Sequence, residues 1–169
     1  AGVLNGHLFF CASGMGFDAH IAALFENTEA RGLLGYIKLI WNEFFSYRSQ
    51  NYTLRFNGME INKPAFVLAC CNSGQYGNDF YIAPTANMTD GKVTISMLKP
   101  FNKWLTPWVI LKVFLKKTHT LKWVETYHAS EIRILREKED DVHLDGEPHK
   151  EGVEINYSVE QLALEIICG

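Results

Sequence analysis

A chain of 169 residues that is 47% apolar and carries a net charge of −3 fits one domain, long enough to bury roughly two thirds of its unfolded surface. The mild acidity speaks against a nucleic-acid partner. Cys11, Cys70, Cys71 and Cys168 show neither Cys-x-x-Cys spacing nor a partnering histidine cluster, which argues against a zinc module or a disulfide scaffold and for a reducing, cytoplasmic setting.

The chain begins AGVLNGH, without Met and without a basic stretch leading into an apolar one, so no signal peptide is expected and the chain reads as a piece of a longer one. Residues 8–11 (LFFC) are strand-like, and 13–19 (SGMGFDA) follow with two glycines that permit a sharp turn or a close approach. Alone, this segment reads as a bulge or turn between elements, since the third glycine of a dinucleotide fingerprint is missing. From 33 to 45 the apolar residues fall at 33, 37, 40, 41, 44 and 45, a helical stripe. Tyr52, Leu54 and Phe56 then alternate up to Asn57-Gly58, a strong hairpin signal, and the more uniformly apolar 64–71 suits a central strand.

Residues 82–92 (IAPTANMTDGK) form a loop in which Asn87, Asp90 and the Lys92 carbonyl are oxygen donors of the kind Mg²⁺ or Ca²⁺ takes, although Asp-Gly is equally a common turn. Val93, Ile95 and Met97 predict a strand, and 108–116 a helix with Pro107 in its first turn. Trp104, Trp108, Phe114 and Leu115, with Lys103, Lys112, Lys116 and Lys117, have the make-up of an interfacial helix as well as of an amphipathic helix packed on a sheet. The longest apolar stretch, 104–115, is interrupted by Thr106, Pro107 and Lys112 and falls short of the ~20 residues of a membrane span. Ile132 and Ile134, then 153–159, then Leu162, Leu164 and Ile166 alternate as strands. His20, His119, His128 and His149 show no ligand spacing. The sum is a mainly β chain, a β-sandwich with one or two inserted helices, built as a meander rather than a βαβ series. Between two of its strands lies VHLDGEP (142–148), where Asp145 and Glu147 flank Gly146 either as a hairpin cap or as two acids held at a fixed spacing.

Taken in order, GMGFDA (14–19), YTLRF (52–56), ACCNSGQYGNDFYIAPTANMTDGKVTI (69–95) and HLDGEP (143–148) resemble the C-terminal domain of the diacylglycerol kinase, sphingosine kinase and bacterial lipid kinase superfamily, relatives of the NAD kinases. The resemblance implies a two-domain enzyme whose N-terminal α/β domain carries a Gly-Gly-Asp-Gly nucleotide loop. No Gly-Gly-Asp-Gly occurs here, so residues 1–169 are expected to be the single C-terminal β-sandwich domain, folded but inactive without its N-terminal nucleotide-binding domain. It further implies that Glu147 takes the proton of a lipid hydroxyl attacking the γ-phosphate of ATP, with Asp145 beside it to orient the site or meet nucleotide or metal. Gly14 and Gly16 would meet the cofactor, Asp18 and Asn72 the substrate, Asn87, Asp90 and the Lys92 carbonyl a structural Mg²⁺, and Arg31 or Lys38 a phosphate. The implied partners are a lipid substrate, diacylglycerol-like or sphingoid, and peripheral contact at the inner face of the membrane, with a homodimer left open. Two other readings stand beside it: a non-catalytic lipid-binding or interaction module, and a kinase of a soluble substrate.

Overall fold

The computed structural model describes residues 1–26, 33–76, 80–161 and 163. The first stretch runs β1 (Gly2–Leu4), β2 (His7–Phe9), β3 (Ala12–Gly16) and α1 (Phe17–Glu26). Then come α2 (Leu33–Ser46), β4 (Gln50–Phe56), β5 (Met59–Ala65), β6 (Val67–Cys71) and β7 (Val93–Leu98). After α3 (Thr106–Phe114) the chain closes with β8 (Val124–Ala129), β9 (Glu131–Arg136), β10 (Asp140–Leu144), β11 (Glu147–Glu151) and β12 (Glu154–Val159). Three two-residue turns set the hairpins. Asn5-Gly6, Asn57-Gly58 and Asp145-Gly146 all have positive φ at both residues, the twist that lets two strands return side by side.

Two antiparallel sheets of six strands result, in the orders β2-β1-β12-β9-β4-β5 and β11-β10-β3-β6-β7-β8. Their inner faces meet in a core that includes Leu4, Phe9, Met15, Leu54, Leu68, Ile95, Ile134 and Ile155, each wholly buried. Burying a side chain of this size contributes about 1.5–3 kcal/mol. On the outer face of the second sheet α1 and α2 add another layer, with Phe17, Ile21 and Phe44 packed on Phe66, Val67, Ala69 and Cys71. This third layer explains the sequence pattern. Strands β3 and β6 are covered on both faces and buried at every position, whereas β9 and β12 keep one wet face and alternate.

Most expected elements are present: the sandwich, the Asn57-Gly58 hairpin, α2 and the strand at 93–98. Among the described residues there are three α-helices, where one or two were expected. Residues 13–16, expected as a turn, are strand β3, because neighbours on both sides supply ladder partners (Ser13 opposite Cys70 and Leu144), and 17–26, not foreseen as helix, are α1. The 64–71 run is split at Phe66 between β5, an edge strand of one sheet, and β6, a central strand of the other. An edge strand is where a proline such as Pro64, with no N–H to donate, is tolerated. Helix α3 starts two residues earlier than predicted and stops at Phe114, where Lys116 takes φ 57° and the amides of Lys116 and Lys117 close onto the carbonyls of Val113 and Lys112. The strand expected through Leu162, Leu164 and Ile166, together with Arg31 and Cys168, lies outside the described residues.

Candidate functional site

The Asp145-Gly146 turn is tied to the chain between β2 and β3. The Asp145 carboxylate accepts three backbone amides, from Phe10 (2.7 Å), Cys11 (2.8 Å) and Ala12 (2.9 Å), and its own amide donates to the Ala12 carbonyl at 2.8 Å. The carbonyls of the same segment turn the other way. Phe10 accepts Asn72 Nδ2 at 2.9 Å, and Cys11 accepts the amides of Asn72 and Ser73 at 2.9 and 3.0 Å. Asn72, buried at the end of β6, and Asp145 thus grip one short stretch from opposite sides. A further brace comes from Arg136 on β9, whose guanidinium donates to the carbonyls of Asp140, Asp141, Glu151 and Gly152 at the far end of the β10–β11 hairpin.

Beside this turn three side chains converge on the helix-covered face of the second sheet. His143 sits directly opposite Gly14 across the β3–β10 ladder. Because Gly14 has no side chain, His143, Asp18 and Tyr76 occupy the space its Cβ would take. Tyr76 Oη donates to Asp18 Oδ2 and also contacts His143 Nε2, while His143 Nε2 lies 3.1 Å from the same Asp18 oxygen. The tautomer follows from the other ring nitrogen: Nδ1 accepts the Gly146 amide at 3.3 Å, so the proton is on Nε2, facing Asp18. Burial, reinforced by the neighbouring Asp18 carboxylate, pushes the Tyr76 phenol well above its ordinary range, so it remains a donor. Asp18 itself lies in the first turn of α1, where the helix N-terminus favours a carboxylate. Its Oδ1 is buried without a partner among the described residues.

A cavity of about 530 Å³ opens here, lined by Cys11, Asp18, Ser73, Gln75, Tyr76, His143, Asp145 and Gly146 among others. Asp18 and Asp145 of the predicted site residues line it, and Asn72 holds its wall. Glu147 opens β11 as an exposed carboxylate next to the cavity's Gly146. Gly14 and Gly16 lie inside buried β3 and have packing roles; at Gly16, with φ 100°, a Cβ would strike the Phe66 carbonyl. Neither offers an open loop to a cofactor. Lys38 is exposed on α2 and does not line the cavity.

The loop before β7 is a separate place. Asn87 Oδ1 accepts both the amide and the hydroxyl of Thr89 (3.0 and 2.9 Å), and Asp90 Oδ1 accepts the Lys92 amide at 2.9 Å. The Asn87 side chain is therefore committed, while its main-chain carbonyl keeps only a 3.5 Å contact with the Asp90 amide. The oxygens of this loop left for a hard cation are the Asp90 carboxylate and the main-chain carbonyls of Asn87 and Lys92, the donor type that Mg²⁺ takes. Among the described residues no three His, Cys, Asp or Glu side chains cluster as a metal site.

Residues 12–168 match the family model for the YegS C-terminal NAD kinase beta sandwich-like domain. The chain belongs to this family. It is also 26% identical over 148 residues to the "Probable lipid kinase YegS-like" of Shewanella frigidimarina (strain NCIMB 400), covering 86% of this chain and 47% of that protein. A solved diacylglycerol kinase from Bacillus anthracis str. Sterne superposes with a TM-score of 0.60 at 15% identity, covering 95% of this chain and 49% of that one. A second structure from the same organism, named provisionally as a diacylglycerol kinase, gives a TM-score of 0.65 at 17% identity over 92% and 52%. At such identities the likeness is one of fold. The chain spans about half the length of these relatives.

Within this YegS-type domain, His143 and Tyr76 were not among the residues picked out from sequence. His143 does carry a signal: between Val142 and Leu144, both in the core, it must point to the other face, and a histidine 3% exposed on that face needs partners. That the face is covered is visible only once α1 is placed on it. No helix of the described residues is long and apolar enough to cross a membrane.

Proposed function

We propose that this YegS-type domain is the acceptor half of an ATP-dependent lipid kinase, moving the γ-phosphoryl group of ATP to a lipid hydroxyl. The observation that carries the reading is the buried, partnerless Asp18 Oδ1 in a cavity walled by the Asp145-Gly146 turn. A buried carboxylate oxygen left without a donor costs about 1–3 kcal/mol, and an entering hydroxyl offsets that cost. The relatives named as lipid kinases support the substrate class.

In this reading the hydroxyl enters donating to Asp18 Oδ1, then turns its proton to Glu147, which takes it as the oxygen attacks the γ-phosphorus and ADP leaves. Asp145 holds the turn at the right distance through the Phe10, Cys11 and Ala12 amides, acting as a positioning residue. Phosphoryl transfer needs mainly such alignment and charge neutralisation, which the nucleotide's Mg²⁺ assists. ATP would be bound by the half of the protein that the relatives carry and this chain does not span, so the chain by itself is inactive. A structural Mg²⁺ held by Asp90 and the Asn87 and Lys92 carbonyls would pin the loop preceding β7.

The test is labelled phosphate transfer from ATP by the full-length protein across a panel of diacylglycerol, sphingoid bases and NAD. Glu147→Gln should lower turnover on lipid by about 10²–10⁴-fold while leaving the fold intact. Transfer to NAD in preference to lipid identifies a soluble-substrate kinase instead. No transfer to any acceptor, with lipid binding indifferent to Glu147, identifies a non-catalytic module.

A further inference from the structure

The largest anomaly outside the cavity is an apolar surface made by two helices that are distant in sequence. Ile37, Trp41 and Phe45 form an exposed i, i+4, i+8 stripe along α2, with Trp41 67% accessible. On the segment leading into α3, Trp104 is 81% accessible, and Trp108, Leu111, Phe114 and Leu115 continue the exposed row. The two rows are joined. Trp41 packs on Phe45 with ring centroids 5.5 Å apart, and Phe45 on Trp104 at 5.9 Å. The join is fixed by Lys103, whose ammonium donates to the carbonyls of Phe44, Phe45 (3.0 Å) and Tyr47 (2.9 Å) at the C-terminus of α2. A soluble surface gains nothing from holding two tryptophans in water by such an arrangement.

Charge identifies what covers it. In a chain of net charge −3, no Asp or Glu occurs between Asp90 and Glu125, while lysines stand at 92, 99, 103, 112, 116, 117 and 122. Lys112 lies over the Trp108 ring at 4.9 Å and Lys116 over Tyr81 at 4.0 Å, so their ammoniums sit at the border of the aromatic surface. Lys38 adds an exposed cation on α2, and Lys117 and Lys122 are exposed as well. A second copy of the chain seated symmetrically on this face would set lysine against lysine. An anionic bilayer instead offers negative headgroups to the lysines and an interfacial layer to the tryptophans.

We propose that the joined α2–α3 face is the surface by which this protein docks on anionic lipid bilayers. The proposal deepens the lipid-kinase reading, since a hydroxyl acceptor embedded in a bilayer must be met there. It is tested by binding, so that its failure and the failure of that reading can be told apart.

The full-length protein is sedimented with vesicles of phosphatidylcholine alone and of phosphatidylcholine with about a third phosphatidylglycerol, at low and high salt, the contrast that electrostatic attraction to a surface requires. Binding should require the anionic lipid and fall with salt. The Trp41→Ser, Trp104→Ser double variant should bind about tenfold more weakly, and Lys112→Ala, Lys116→Ala and Lys117→Ala about fivefold each. All five side chains are exposed or nearly so, and an unchanged circular dichroism spectrum and melting temperature establish that each variant is folded. If the lipid-kinase reading also holds, the tryptophan variant loses turnover on vesicle-borne substrate and keeps it on substrate dispersed in detergent micelles. Equal binding to both vesicle types, or unchanged binding by the double variant, overturns the proposal. So does a concentration-dependent dimer in the absence of lipid that the double variant abolishes, since a second copy then covers the face.

Discussion

Replacing Asp145 by Asn separates two roles that the Asp-Gly-Glu sequence leaves superimposed. The substitution is isosteric, and Asn tolerates φ 51° as readily as Asp, so the backbone of the turn is not strained. What changes is acceptor count and charge. Asp145 Oδ1 serves Cys11 and Ala12, and Oδ2 serves Phe10. An amide has one oxygen. Placed at Oδ1 it keeps two neutral hydrogen bonds and turns an N–H toward the Phe10 amide, donor against donor. Hydrogen bonds to a charged group are worth about 1.5–3 kcal/mol and neutral ones about 0.5–1.5, so replacing three of the first by two of the second gives a gross loss of roughly 3.5–6 kcal/mol. Asp145 is exposed, and water can reach the Phe10 amide, so the net loss falls to roughly 2–3 kcal/mol. For a domain of this size that lowers the melting temperature by about 4–12 °C. Thermal and urea unfolding followed by circular dichroism measure it, and hydrogen exchange should quicken at the amides of Phe10, Cys11 and Ala12. The neighbouring Glu147→Gln serves as the contrast: an exposed carboxylate with no protein partner among the described residues should change stability by less than about 0.5 kcal/mol. If Asp145→Asn is equally silent, the carboxylate is not what holds the turn.

Three other outcomes test different parts of the fold. Burial disfavours the Glu125 carboxylate, but hydrogen bonds from Lys63, Lys99 and Tyr127 outweigh it and hold the group at about 2. Since this lies below the unfolded value of 4.5, the stabilisation is present above about pH 4.5 and is lost as pH falls toward 2. Glu125→Gln should thus cost roughly 1–2 kcal/mol at pH 7, after allowance for the exposed Lys63, and almost nothing near pH 2; an equal cost at both values refutes the argument. Gly14→Ala forces a Cβ into Asp18, His143 and Tyr76 and should destabilise by roughly 1–3 kcal/mol, whereas Gly152→Ala, with open space around it, should be neutral in the same melts. In a Cys168→Ser background, a thiol reagent should modify Cys11 alone in the native protein and three thiols after unfolding. Cys11 is exposed, while burial shields Cys70 and Cys71 and pushes their thiols up. Rapid native labelling of a second thiol contradicts the packing of β6.

How legible the molecule is in its residues varies with what each pattern depends on. Asn57-Gly58 between alternating strands is a local instruction, and the structure obeys it. The Leu33–Ser46 helix likewise follows from a stripe that any covering layer would use. By contrast, 13–16 looks like a turn because its glycines are turn residues in isolation. In the fold they are spacers, since a strand with a helix on one side and a sheet on the other needs small residues where Asp18, Tyr76 and His143 crowd in. The loop at 82–92 shows the same limit on a smaller scale: Asn87 has atoms of the type a hard cation takes, but its side-chain oxygen is spent on Thr89.

The residues by themselves therefore determine most of the strands, the Asn57-Gly58 turn, two of the three α-helices among the described residues and the family resemblance, because these depend on periodicity and turn chemistry within a few positions. Only the tertiary structure decides that Asp145 is a staple for Phe10, Cys11 and Ala12 and that His143, Tyr76 and Asp18 share hydrogen bonds. It alone decides, too, that Trp41 and Trp104 lie on one surface. Each of these joins groups more than sixty positions apart, except the Tyr76–Asp18 pair at 58, and which atoms meet over such spans depends on how the layers stack.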